Sequence, residues 1–227
     1  MDTIFSSASG HLKTAIRIIR ISGKKAKRIP SIFFYKETSP RAASFRKLYD
    51  SNKQLLDNAV VIYFPGPNTV TGEDICELHI HGSLIIEKKI YNILSSQEHF
   101  RVALPGEFTK RAFLNGIIDL TQAEGLNDLI NAETQSQLDL SISQYEGSLL
   151  NKTNLWRNEI VRLLSKLEAL IDFSDEELPP DLEIFFVNQL LVLTKEMKSS
   201  IIAKNYNEKI RNGFVITLIG KPNVGKS

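Results

Sequence analysis

One cysteine, Cys76, stands among 227 residues, so no disulfide can close within the chain. A reducing compartment is the simplest setting for such a sequence. An excess of either charge is missing as well. The 28 basic and 26 acidic side chains leave a net charge of +2, which neither demands nor excludes nucleic acid, since a local basic patch can hide in the total. Long apolar runs are absent too. The uncharged stretch 59–72 holds Pro65 and Pro67 and is too short to cross a bilayer. Residues 1–10 contain Asp2 and no apolar run, which argues against a secretory leader. There is no internal repeat and no low-complexity segment. What remains is ordinary globular composition, 42% hydrophobic and 24% charged, with enough apolar residues for a core. A cytoplasmic protein of one or two domains, without a membrane partner, is expected.

The first half mixes strand and helix signals. Residues 16–21 and 59–64 are β-branched apolar runs of strand length. Residues 75–81 alternate, with Cys76, Leu78 and Ile80 on one face and Glu77, His79 and His81 on the other. By that alternation Cys76 reads as a buried structural thiol rather than a nucleophile. Pro65-Gly66-Pro67-Asn68 marks a loop. Residues 83–96 read as an amphipathic helix, 100–104 as a strand, and Pro105-Gly106 opens a short helix to about Asn115. Beyond Asp119 the texture turns helical. Thr121 and Glu124 have the spacing of a capping box, and a helical pattern runs to Asp172. Leu149, Trp156, Ile160, Leu163, Leu164, Leu167, Leu170 and Ile171 form its apolar stripe, read as core. Pro179-Pro180 breaks the pattern, and a second helix is expected over 181–205, antiparallel to the first.

Residues 214–219 are an unbroken apolar run, as in a buried parallel strand. They lead into Gly220-Lys221-Pro222-Asn223-Val224-Gly225-Lys226-Ser227, a full G-x-x-x-x-G-K-[ST] match. In this motif successive backbone N–H groups wrap a phosphate, Lys226 reaches the terminal phosphates, and Ser227 puts its hydroxyl on Mg²⁺. The preceding strand supplies the context that the motif requires. The sequence stops at Ser227, before any following helix, switch segment or base-recognition loop, so the chain as given is expected to turn over no nucleotide. No catalytic residue is assigned within it.

Four further stretches carry a specific pattern. They are Phe64-Pro65-Gly66-Pro67-Asn68-Thr69-Val70-Thr71-Gly72-Glu73-Asp74 with Glu77-Leu78 and His81-Gly82; Pro105-Gly106-Glu107-Phe108-Thr109-Lys110-Arg111-Ala112-Phe113-Leu114-Asn115; Asp119-Leu120-Thr121-Gln122-Ala123-Glu124; and Ile171-Asp172-Phe173-Ser174-Asp175-Glu176-Glu177. In this order, ahead of the phosphate loop, they resemble the tRNA-modification GTPase family MnmE, also written TrmE, over essentially the whole chain. The resemblance implies an α+β chain. A folate-binding and dimerising α/β domain would span 1–118, the first half of a helical bundle 119–210, and the start of a P-loop GTPase domain 211–227. It implies GTP as substrate, with Asn223, Val224, Gly225, Lys226 and Ser227 at the nucleotide, Asn223 on K⁺ and Ser227 on Mg²⁺. It also implies a homodimer that joins an FAD-dependent partner, MnmG or GidA, in a heterotetramer. Together they would add a carboxymethylaminomethyl group to carbon 5 of the wobble uridine of certain tRNAs, with the one-carbon unit from a reduced folate such as 5-formyltetrahydrofolate.

The same resemblance places the folate at Arg20, Glu77 and position 117. The family usually carries lysine at that last position and this chain has Ile117, which offers only backbone or apolar contact. The family's glycine-rich stretch is also altered over residues 10–15. Both departures predict weaker folate binding. Without the resemblance, Glu77 reads first as part of a solvated strand face, and Arg20 equally as a surface arginine. His79 and His81 give two metal donors with no third in view. Lys24, Lys25, Lys27 and Arg28 suit either RNA phosphate or a solvated turn, and the acidic run 172–177 reads as a solvated loop. Two functions therefore stand side by side: a tRNA-modifying GTPase, or a folate-binding and dimerising module without catalysis of its own, such as a decayed gene leaves.

Overall fold

A computed structural model of the chain describes residues 2–10, 14–172, 182–213, 217, 219 and 220. Val224, Gly225, Lys226 and Ser227, with Asn223, lie outside these, as do the Pro179-Pro180 break, the acidic run after Asp172 and most of the strand expected over 214–219. Ile219, a described residue of that expected strand, is exposed rather than buried, and none of the described strands pairs with it. The chain divides into two compact units, Met1–Asp119 and Leu120–Ser227. No helix among the described residues is long and apolar enough to cross a membrane.

The first unit is built on six strands: β1 (Thr3–Ser7), β2 (Ile16–Ser22), β3 (Ser44–Tyr49), β4 (Leu55–Phe64), β5 (Ile75–His81) and β6 (Phe100–Val102). They lie in the order β3-β4-β5-β2-β1-β6. All neighbours are antiparallel except β1 and β6, which run parallel. The alternation of β5 is realised: Cys76, Leu78 and Ile80 are buried while Glu77, His79 and His81 point the other way. A 3-10 turn (Ala26–Arg28) and two helices, α1 (Ile29–Phe33) and α2 (Leu84–Ser95), supply the rest of the core. Phe5, Ile19, Ile21, Val61 and Leu78 meet Ile29, Phe33, Ile90 and Leu94 in one buried cluster. Each such side chain contributes about 1.5–3 kcal/mol by leaving water. Arg17 is buried in the same unit, its guanidinium donating to Glu87 Oε2 of α2 at 2.9 Å and to the Gly10 carbonyl at 3.2 Å. Helix α3 (Glu107–Leu114) follows β6.

The second unit is helical. Its helices are α4 (Leu120–Ile130), α5 (Gln135–Tyr145), α6 (Ser148–Asp172) and α7 (Leu182–Asn212). The continuous pattern from Thr121 to Asp172 is thus three helices. Thr121 sits inside the first turn of α4, not ahead of it, and the capping box belongs to α5. There Thr134 Oγ1 accepts the Gln137 N–H, while Gln137 Oε1 accepts the Thr134 N–H. Side-chain amides tie α4 to α5: Gln122 Nε2 donates to the Tyr145 carbonyl at 2.9 Å and Gln144 Nε2 to that of Thr121 at 3.1 Å. Helices α6 and α7 run antiparallel, as expected. Trp156 Nε1 reaches Glu196 Oε2 at 3.3 Å, and Lys166 Nζ lies 5.2 Å from the Phe185 ring. The apolar stripe of α6, however, is not core. Leu163 is buried, but Leu149, Ile160, Leu164, Leu167 and Ile171 are exposed. Two paired helices bury only the seam between them, which is narrower than this stripe.

Candidate functional site

The face of the sheet opposite the core carries the polar row. Arg20 on β2 and Glu77 on β5 are direct register partners. Arg20 Nε donates to Glu77 Oε1 at 2.8 Å. The pair is half-buried, with the Arg20 side chain 31% and the Glu77 side chain 14% exposed. Among the described residues nothing bonds the two terminal amines of Arg20. The arginine therefore faces solvent with a pair of donors while its Nε holds the carboxylate. His79, two residues along β5, brings Nε2 to 3.2 Å from Glu77 Oε2. Ile62 of β4 is opposite Glu77, and Ile18 of β2 and Val60 of β4 flank His79. The charged centre thus has an apolar surround. A flat ligand with N–H donors on one edge and an acidic or carbonyl group on another would find both complements here.

One end of this row is walled by the loop 65–74. A chain of ion pairs, buried at Glu107 and Arg111, fixes it. Glu73 Oε2 accepts the Ser22 hydroxyl at 2.8 Å and Arg111 Nη1 at 2.9 Å. Ser22 Oγ also lies 2.7 Å from Thr71 Oγ1. Arg111 Nη2 then reaches Glu107 Oε1 at 3.2 Å, one turn back on α3. Glu107 accepts two more bonds from Arg101, at 2.6 and 2.8 Å, and the Leu104 N–H at 2.8 Å. Arg101 above all holds the Glu107 carboxyl at about 2, against the upward push of burial. Asn115 Nδ2 closes the far end on the Thr71 carbonyl at 2.6 Å. Tyr63, at the start of the loop, has its phenol pushed up to about 12 by burial and by Asp74.

Ile117 lies at this wall. A Cβ on Gly72, whose φ is +76°, would come within 3.1 Å of Ile117 Cγ1 and 3.0 Å of Asn115 Cβ. Arg20 and Glu77 are thus brought together as a bonded pair. Ile117 lies against Gly72 of the loop. Cys76 is fully buried and free, and burial pushes its thiol far up, so it is no nucleophile. His81 bonds Asp57 through Nδ1 at 2.7 Å and is engaged away from His79. No group of three His, Cys, Asp or Glu among the described residues could hold a metal ion. The Glu73–Arg111–Glu107–Arg101 chain is absent from the sequence reading. Only the four-residue spacing of Glu107 and Arg111 on a helix signals any of it.

Comparison with known proteins accounts for these patterns. Residues 3–117 match the family model described as "GTP-binding protein TrmE N-terminus", and residues 120–215 match the one described as "MnmE helical domain". Proteins named tRNA modification GTPase MnmE align along the whole chain. Those of Anaplasma marginale, Wolbachia and Rhodopseudomonas palustris are 42%, 41% and 39% identical, covering 100% of this chain in each case. The chain spans about half the length of these curated relatives, 51% of each. On the two matched domains and the full-length alignment, the chain belongs to the MnmE/TrmE family of tRNA modification GTPases.

Proposed function

We propose that the whole protein is a GTPase of tRNA modification and that its first unit, over 1–118, is a reduced-folate-binding and dimerising module, with the helical domain over 119–210 and the GTPase domain starting at 211. The observation that carries the folate reading is the Arg20–Glu77 pair, with a mostly buried carboxylate and two guanidinium amines that no described residue bonds, set in an apolar surround. Glu77 accepts N–H groups of the pterin edge, and Arg20 holds an acidic or carbonyl group of the same ligand. When bound, 5-formyltetrahydrofolate or a related reduced folate supplies a one-carbon unit for carbon 5 of a wobble uridine.

The phosphate loop binds GTP through Asn223, Val224, Gly225, Lys226 and Ser227. Asn223 offers an amide oxygen to K⁺ and Ser227 a hydroxyl to Mg²⁺, both hard oxygen donors of the kind these ions take. The partners are a second copy, an FAD-dependent protein of the MnmG/GidA kind, and tRNA, in the cytoplasm. Potassium-stimulated GTP turnover by the whole protein is expected to vanish in Lys226→Ala. Turnover that survives the substitution would remove the phosphate loop from the mechanism. Mass in solution reads the dimer.

Calorimetry of the chain against 5-formyltetrahydrofolate, at one salt concentration, tests the folate site. Glu77→Ala is expected to weaken binding and Ile117→Lys to tighten it. A lysine adds an ammonium where Ile117, 41% exposed at the loop wall, brings only hydrocarbon. One charge-assisted hydrogen bond contributes about 1.5–3 kcal/mol, roughly ten- to a hundred-fold in affinity. Equal affinities in all three proteins would withdraw these positions from the pocket.

A further inference from the structure

We infer that His79 is a positioning residue of the Glu77 site: it sets the plane of the carboxylate that reads the pterin edge. The inference rests on the folate reading above and adds a residue to it. A glutamate's last torsion is broad and nearly two-fold, so the side chain's own rotamer does not fix how its carboxylate plane is turned. One hydrogen bond, from Arg20 Nε to Oε1 at 2.8 Å, anchors a single oxygen and leaves that torsion free. A second bond to the other oxygen removes the freedom. Among the described residues His79 is the group that makes it, Nε2 to Oε2 at 3.2 Å.

The strand geometry makes the arrangement durable. His79 and Glu77 are two apart on β5 and share a face, with Arg20 directly across on β2. The imidazole is 27% exposed and flanked in register by Ile18 and Val60, which offer it no competing acceptor. A carboxylate oxygen accepts, so in this contact His79 donates from Nε2. Each carboxylate oxygen keeps a lone pair for the ligand. Two parallel N–H donors on a flat ring need both oxygens in the ring's plane, which is what two anchors on two different oxygens hold.

A glutamine at 79 can place its amide N–H where the imidazole has Nε2–H, whereas alanine cannot. Calorimetry with 5-formyltetrahydrofolate on the 227-residue chain tests the role through His79→Ala, His79→Gln, Glu77→Gln and the Glu77→Gln/His79→Ala double variant. His79→Ala is expected to weaken binding about five- to tenfold, the scale of one ordinary lost hydrogen bond. His79→Gln should stay within about twofold of the parent. In the Glu77→Gln background His79→Ala should cost little more, because a residue acting through Glu77 has nothing left to act on. Parent-like affinity in His79→Ala, or an equal loss in both backgrounds, would overturn the positioning role while leaving the folate site standing. A parent chain that binds no folate would sink the site reading itself, and this inference with it.

Discussion

Gly82→Ala is expected to break the pairing of β2 with β5. A Cβ built at Gly82 lies 1.8 Å from the Thr14 carbonyl oxygen and 2.6 Å from its carbon. Both atoms are backbone, so no rotamer change can clear them. The obstruction sits where the ladder continues past Ile16 and His81, with the Gly82 N–H donating to the Ala15 carbonyl at 3.0 Å. The strands must part there, and the cost is placed above the ~1–3 kcal/mol of ordinary overpacking. Gly106→Ala provides the reference. Nothing lies within 4 Å of its Cβ, and its φ of +71° is the only obstacle. That conformation costs an alanine about 1–2 kcal/mol. Urea unfolding, with hydrogen exchange over Ile16–Ser22 and Ile75–His81, separates the two. Equal midpoints for both variants would mean that the ladder accommodates a side chain at Gly82.

The second large effect is expected at Arg111. Its guanidinium is the joint between Glu73 on the loop and Glu107 on α3, and its side chain is only 7% exposed. Arg111→Met keeps the hydrocarbon length and removes the charge. Glu73 then keeps the Ser22 hydroxyl but no cation, in a setting where its side chain is 13% exposed. Breaking a buried pair from one side costs about 3–5 kcal/mol, because the remaining charge stays buried. The same chain of bonds sets an acid limit. Glu107 is held at about 2, below its ordinary value, so it favours the folded state above the normal carboxylate range. That contribution falls away as pH drops from ~4.5 toward about 2. Glu107→Gln should therefore be less stable than the parent at pH 7, with the difference shrinking in acid. A difference that stays constant from neutral to acid pH would detach the carboxylate from the effect. Arg111→Met unfolding at the parent's urea midpoint would show the network to be energetically idle.

The legibility of the fold varied with how much each segment's pattern owed to one face. Strand β5 was plain because its two faces differ sharply, with Cys76, Leu78 and Ile80 in and Glu77 and His79 out. Strands β1 and β3 left no comparable signal. Thr3–Ser7 is short, with only Ile4 and Phe5 apolar, and Ser44–Tyr49 is a sheet edge carrying Arg46 and Lys47. As an edge strand β3 buries too little to declare itself in composition. In the second unit, periodicity carried straight across two breaks, since α4, α5 and α6 each keep helical spacing. The Thr134–Gln137 capping box and Gly147, with φ of +84°, were the available stops. At the candidate site the residue types at Arg20 and Glu77 were visible, but their bond depends on register across 57 positions. No local pattern encodes that distance. Ile117 could be named and yet not placed, because its neighbour Gly72 belongs to a loop held by side chains from three other segments.

The strand order also shapes the protein's birth on the ribosome. Thr3 of β1 pairs with Phe100 of β6, and Arg20 with Glu77, so the sheet's closing contacts join opposite ends of the first unit. At a synthesis rate of about 5–20 residues per second, Arg20 leaves the peptidyl-transferase centre roughly 3–11 s before Glu77 is made. Until β5 and β6 are made, β1 and β2 can pair at most as a two-stranded ribbon, marginal in water, with both outer edges open. A pause in translation before the codons of β5 would lengthen that exposure, and a nascent-chain chaperone that covers strand edges would find its substrate there.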